Sequence, residues 1–139
     1  MKYNLNYIYL AMLALIFFIV IIAATPQNGF KAPASADEIK NPLKGNVAAT
    51  LEGKKTYEQS CVVCHGTTGK GDGIAVTGLS KVPADHSSAA VQAQTDGALY
   101  WKIQTGNPPM PSYKQTLTDV QIWQLVNYIR TLSAPVKTK

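Results

Sequence analysis

Both cysteines of the chain fall in one pentapeptide, Cys61-Val62-Val63-Cys64-His65. Two thiols with two residues between them and an imidazole directly after form the attachment pattern of haem c. The spacing has a physical reason: positions one helical turn apart reach the two vinyl groups of one porphyrin, and the imidazole that follows points at the iron. Two thioether bonds consume both thiols, which suits an exported chain with no other cysteine to mispair. Three other chemistries use these residue types. A thioredoxin-like redox pair belongs among alternating strands and helices, and no such alternation is visible. A zinc site wants paired ligands on both sides, whereas the only other histidine is His86. A structural disulfide leaves His65 without a role. The expectation is one covalent haem c, with no catalytic residue.

A six-coordinate haem iron needs a second axial ligand. Met1 and Met12 belong to the N-terminal segment, which leaves Met110 in Asn107-Pro108-Pro109-Met110-Pro111. Prolines remove backbone freedom, so this loop is able to hold a thioether in place. A methionine filling a core gap is the alternative, but a methionine set between prolines outside any helix is a poor core filler. His86, in Pro83-Ala84-Asp85-His86-Ser87, is the rival ligand. Met110 is preferred on this loop chemistry, and His86 is read as a solvated loop residue.

The elements that position these groups read as short helices. Gly53, Tyr57, Cys61 and Cys64 recur at helical spacing and share one face; Gly53 on that stripe lets another helix come close. Thr95 and Asp96 start a helix through Leu99, Tyr100, Trp101 and Ile103, ended by Gly106. Thr118 with Gln121 forms a capping box for a terminal helix from about Asp119 to Leu132. Its apolar stripe is Ile122, Leu125, Val126, Ile129 and Leu132. The glycines between Gly66 and Gly78 read as loop, without the strand and helix context of a phosphate-binding turn. Candidate pocket residues are Val63, Leu79, Ile103, Trp101, Tyr113 and Leu125.

The ordered set of motifs resembles a known family. Gly53 and Tyr57 before CVVCHG, then GKGDG, then Lys81-Val82-Pro83-Ala84-Asp85, then DGALYWKIQTG running into NPPMPSY, and a final LTDVQIWQLVNYIRTL are similar to the class I monohaem cytochromes c, especially the bacterial membrane-anchored kind. The likeness covers about Ala48 to Ala134. It implies an all-α, small cytochrome c fold whose first and last helices cross, bringing Gly53 and Tyr57 to the helix that carries Tyr128. It also implies His65 and Met110 as axial ligands, and a carbonyl at Pro83 that accepts the N–H of the proximal imidazole, fixing its orientation.

The N-terminal residues explain the uneven hydropathy. Ile8 to Ala24 carries no charge, and a bilayer-spanning helix needs about 20 apolar residues where a secretion signal's core has about 7 to 15. Residues 1–24 are therefore expected to be a transmembrane anchor, with a cleaved signal segment as the alternative, and Lys2 favours a cytoplasmic N-terminus. Residues 25–49, rich in Pro, Gly, Ala and Lys, read as a flexible linker with a reach of roughly 25 to 30 Å. Residues 50–134 form the cytochrome domain and 135–139 a tail. The net charge is +5, yet between Thr50 and Ala134 seven basic residues face six acidic ones, so the folded part is nearly neutral. Nucleic-acid binding wants a basic stripe on the folded surface and is not expected.

With both axial positions filled, the expected activity is one-electron transfer on the outer face of a membrane, in periplasm or its equivalent, rather than enzymatic turnover. The expected partners are a quinol-oxidising complex and a terminal oxidase or reductase within a respiratory chain, with the chain as a mobile carrier. A fixed haem subunit of a multi-subunit respiratory complex and a ligand-binding haem sensor are the alternatives.

Overall fold

A computed structural model of the chain describes residues 29–133. The expected anchor or signal segment 1–24 and the tail 135–139 lie outside the described residues. Among the described residues six α-helices occur in order: α1 Ala34–Asp37, α2 Val47–Ser60, α3 Val62–His65, α4 Ala89–Gln92, α5 Asp96–Thr105 and α6 Asp119–Thr131, with a 3-10 turn at Val76–Gly78. None of these is long and apolar enough to cross a membrane. The only bridge pairing among the described residues joins Asn107 to Met110.

The helix ends sit where the capping chemistry puts them. Asn46 accepts from the amide of Ala49 to start α2, and Thr95 from that of Ala98 to start α5. At α6 the Thr118 hydroxyl accepts from the Gln121 amide while the Gln121 side chain accepts from the Thr118 amide, the reciprocal capping box. Gly106, at φ 71°, closes α5.

Helices α2 and α6 cross closely, as the family likeness implies. Gly53 stands against the backbone of Gln124 with no room for a side chain between them, and the rings of Tyr57 and Tyr128 meet edge to face at 5.1 Å. Tyr57, Ile122, Leu125 and Val126 are fully buried at this crossing. Close packing of this kind makes small changes of volume costly. The stripe expected on one continuous helix is broken at Cys61, whose φ of −114° ends α2 and begins the single turn of α3.

The segment expected as a flexible linker is mostly exposed but is tied to the domain at several residues, which corrects the flexible reading for residues 29–46. Ala36 is 1% exposed, and its carbonyl lies against Gly97 of α5, which has no Cβ to obstruct it. Phe30 packs on Trp101 at 5.6 Å. Asn41 donates to Asp96 at 3.0 Å and to Asn127 at 2.8 Å, and Asn127 donates back to the Leu43 carbonyl at 2.6 Å. Thr95 donates to Asp37 at 2.6 Å. These bonds tie a strap, residues 29–46, to α5 and α6.

Candidate haem site

The two cysteines and His65 lie on one helical turn that would otherwise leave carbonyls without partners. The following loop supplies them. Ala75 donates its amide to Val63 at 2.9 Å, Gly73 to Cys64 at 3.1 Å and Gly71 to His65 at 2.9 Å. Glycine is needed for this return path, because a Cβ at Gly73 would collide with the backbone of Val63 and Cys64. The glycine-rich stretch expected as loop is thus the cap that holds the CVVCH turn rigid.

His65 is 8% exposed, and its Nδ1 lies 3.1 Å from the carbonyl oxygen of Ala84. With the proton on Nδ1 the ring donates this bond and leaves Nε2 as the free metal-binding nitrogen. Burial lowers the pKa of His65 below its ordinary value, with the Ala84 bond acting against it; the neutral form that ligation requires is favoured. The carbonyl facing His65 is that of Ala84, not Pro83 as expected. Pro83 is one residue too early: its carbonyl is packed against Gly71, where a Cβ would collide with it. Pro83 nonetheless lines the cavity next to the cysteines.

Met110 is half-buried and packs against the core. Its amide donates to Asn107 and Asn107 donates back to Met110, each at 3.0 Å, closing a tight loop around the cis Pro108–Pro109 bond. Tyr113 ties this loop to its surroundings: its amide donates to Ile103 at 3.2 Å and its hydroxyl to the Ser60 carbonyl at 3.0 Å, one residue before Cys61. The methionine loop and the cysteine turn are thereby fastened to each other.

Cys61, Cys64, His65 and Met110 all line one cavity of about 210 Å³. Leu79, Ile103, Tyr113 and Leu125 line it as expected, joined by Val91, Leu99 and Ile129. Two expected pocket residues do not. Val63, on the outer side of the α3 turn, is 50% exposed, and Trp101 lies against Phe30 instead. Phe30, from the strap, is itself part of the cavity wall, a role with no periodic signal in the sequence. Exposed Val82 and Pro109 mark where the cavity meets the surface.

His86 is corrected from a solvated residue to a member of this site. Its ring stacks on that of His65, with centroids 4.1 Å apart and planes inclined by 18°, and its Nδ1 is 3.1 Å from the Tyr57 hydroxyl. Burial first, and then the neighbouring His65, push its pKa down to about 3. Two axial imidazoles would approach an iron edge-on from opposite sides, so rings stacked face to face do not form that pair.

The family comparison fits this geometry. A family model described as "Cytochrome C oxidase, cbb3-type, subunit III" matches residues 48–129. The chain belongs to this family of class I c-type cytochromes. Two solved structures are similar to the cytochrome. One is the Kuenenia stuttgartiensis reducing HAO-like protein complex Kustc0457/Kustc0458, at 28% identity and a TM-score of 0.62, with 69% of this chain and 50% of that chain covered. The other is the KustC0563 c-type cytochrome, at 30% identity and a TM-score of 0.52, with 59% of this chain and 98% of that chain covered. The cytochrome thus spans half the length of the first of these.

The residues present fit a haem c. Both thiols stand free and half-buried at the edge of an aliphatic cavity that also contains an imidazole with its outer nitrogen available and a thioether. Burial, then the proximity of Cys64, push the Cys61 thiol up to about 12; metal-binding thiolates need the reverse shift. Among the described residues no group of three or more His, Cys, Asp or Glu side chains is placed to hold a metal ion by itself. The donor set suits a porphyrin carrying its own iron better than a bare cation.

Proposed function

We propose that the cytochrome carries one electron at a time on a single haem c, attached at Cys61 and Cys64 and ligated by His65 and Met110. The observation that carries this reading is the convergence of those four side chains on one cavity. When bound, the haem supplies a ferric–ferrous couple. The chain's own residues do the rest. His65 offers a neutral nitrogen because its Nδ1–H is given to the Ala84 carbonyl, Met110 offers a soft sulfur, and the apolar side chains of the lining lower the local polarity. Methionine ligation and low polarity both raise a reduction potential. With His65 and Met110 engaged, no position is left for a substrate, and the activity is electron transfer rather than turnover.

The domain works on the outer face of a membrane, held by an anchor in residues 1–24, and exchanges electrons with redox proteins there, a quinol-oxidising complex and a terminal oxidase being the partners of choice. Supporting this are the uncharged run Ile8–Ala24 and a covalent haem motif suited to an oxidising compartment.

A fixed haem subunit of a larger complex is the second reading, and the strap favours it. If residues 1–24 are anchored, only residues 25–28 precede the strap, and four residues span at most about 14 Å fully extended. That reach is shorter than a 25-residue coil provides. The family description names an oxidase subunit, which points the same way.

The test begins with an alkaline-pyridine spectrum of the full chain matured with haem-attachment machinery, where one thioether-linked haem per chain is expected. Colourless protein would end the reading. Met110→Ala should abolish the sulfur-to-iron absorption band of the oxidised protein and open the reduced form to carbon monoxide, whereas wild type stays inert. Purification in mild detergent separates the two arrangements: a subunit emerges with stoichiometric partners and a carrier alone.

A further inference from the structure

A second imidazole, half-buried, stands behind the proposed iron ligand His65 and is held from several sides. The His86 amide donates to Gly69 at 2.6 Å. Its carbonyl accepts from the Gln92 side chain at 2.7 Å, and the same amide group donates to Ile129 of α6 at 2.9 Å. The side chain is gripped too. Nδ1 pairs with the Tyr57 hydroxyl at 3.1 Å, and Tyr57 is fully buried and set against Tyr128. Gly69, at φ 75°, keeps the way clear, since a Cβ there would press on Leu132 and on the His86 Cβ. What this clamp presents to the site is a flat ring face, 4.1 Å from the face of His65.

His65 needs such a face. Its bond from Nδ1 to Ala84 fixes one point of the ring, but the second side-chain torsion of histidine is broad and two-fold. One hydrogen bond, which tolerates a range of angles, limits this torsion without holding it to a single value. A parallel ring in van der Waals contact removes that freedom. We infer that His86, gripped by Tyr57, is a positioning residue that fixes the plane of the proximal His65 imidazole. This rests on the reading of His65 as an iron ligand. The plane matters because it sets how the imidazole π-orbital meets the iron d-orbitals, and with them the unpaired spin in an oxidised haem.

That spin distribution is read from the order and spread of the paramagnetically shifted haem-methyl resonances in the proton NMR spectrum of oxidised, matured full-length protein. His86→Phe keeps a flat ring and His86→Leu keeps bulk without one. The Phe variant is expected to retain the wild-type pattern and the Leu variant to shift it. Tyr57→Phe, which releases the grip while keeping the core filled, is expected to shift the pattern in the same direction as His86→Leu. An unchanged pattern in His86→Leu overturns the inference, and so does an equal displacement in both His86 variants. Should His86→Leu fail to mature, Tyr57→Phe decides alone, and a wild-type spectrum from it refutes the role. Loss of the sulfur-to-iron band in both His86 variants with its retention in Met110→Ala would make His86 the ligand and also overturn the proposal. Absence of shifted methyl resonances in wild type would instead sink the haem reading itself, and this inference with it.

Discussion

Replacing Gly53 by alanine tests the helix crossing that the site hangs from. A Cβ built at Gly53 would lie 1.9 Å from the carbonyl oxygen of Gln124 and 3.0 Å from the amide nitrogen of Leu125. Ordinary contact begins at 3.4 Å, so α2 and α6 would have to separate by about 1.5 Å. Both obstructing groups are backbone, and no rotamer change relieves them. Overpacking a well-filled contact costs roughly 1–3 kcal/mol and occasionally more. Alanine's better helix propensity returns no more than about 1 kcal/mol. Because the four most deeply buried side chains sit at this crossing, we place the net loss near the upper end, about 2 kcal/mol. For a domain of this size that lowers Tm by about 10 °C. Gly78, with nothing near a Cβ and an ordinary φ, is the matched control. Thermal unfolding of the matured protein, followed by far-ultraviolet circular dichroism, compares the two. If Gly53→Ala melts within two degrees or so of Gly78→Ala, the claim that the crossing has no room is wrong.

Three further outcomes follow from the same structure. Thr118→Ala removes the hydroxyl half of the capping box at α6 and is expected to cost about 1 kcal/mol, visible as a fall in Tm of a few degrees. Tyr100 donates to Asp119 at 2.6 Å, and burial first, then this bond, push its pKa from 10.0 up to about 12. The unfolded phenol ionises near its ordinary value, so this stabilisation is complete below pH 10 and is lost as pH rises toward 12; Tyr100→Phe should make the alkaline fall in stability over that window shallower, as chemical denaturation at stepped pH will tell. Asn41→Ala strips a partner from Asn127, which is 7% exposed, at a cost of about 1–3 kcal/mol; trypsin should then cut after Lys40 and Lys44 roughly tenfold faster for each 1.4 kcal/mol lost, and an unchanged rate would show that this bond does not hold the strap.

What the sequence revealed and what it hid divide along a physical line. The CVVCH turn, the Asp96–Thr105 and Asp119–Thr131 helices with their caps, and the close approach at Gly53 were all legible, because each is written in spacings of three or four residues. Contacts between distant segments leave no such period. Asn41 and Asn127 are 86 positions apart, so the strap read as linker from its prolines and polar residues. Tyr57 and His86 are 29 apart, and a lone histidine in a polar loop carries no sign of burial. The choice of Ala84 over Pro83 turned on a single residue of register, fixed by the approach of Gly71 to the Pro83 carbonyl.

The same division explains why the two sides of the site are built so differently. The ring stacked on His65 is bound into the crossing of α2 and α6: Tyr57 belongs to α2, Gln92 reaches the Ile129 carbonyl of α6, and both hold His86. Met110, by contrast, sits on a loop closed by two backbone bonds and fastened through Tyr113. A change in the helix crossing therefore reaches the imidazole through a chain of hydrogen bonds, and the thioether through Tyr113 and the packing of Met110 on the core. Gly53→Ala provides the means to see this: the pattern of haem-methyl shifts, which follows the imidazole plane, should move at temperatures well below melting, while the sulfur-to-iron band persists. If the band disappears first, the methionine loop is the part that depends on the crossing, and the order of rigidity argued from these hydrogen bonds is reversed.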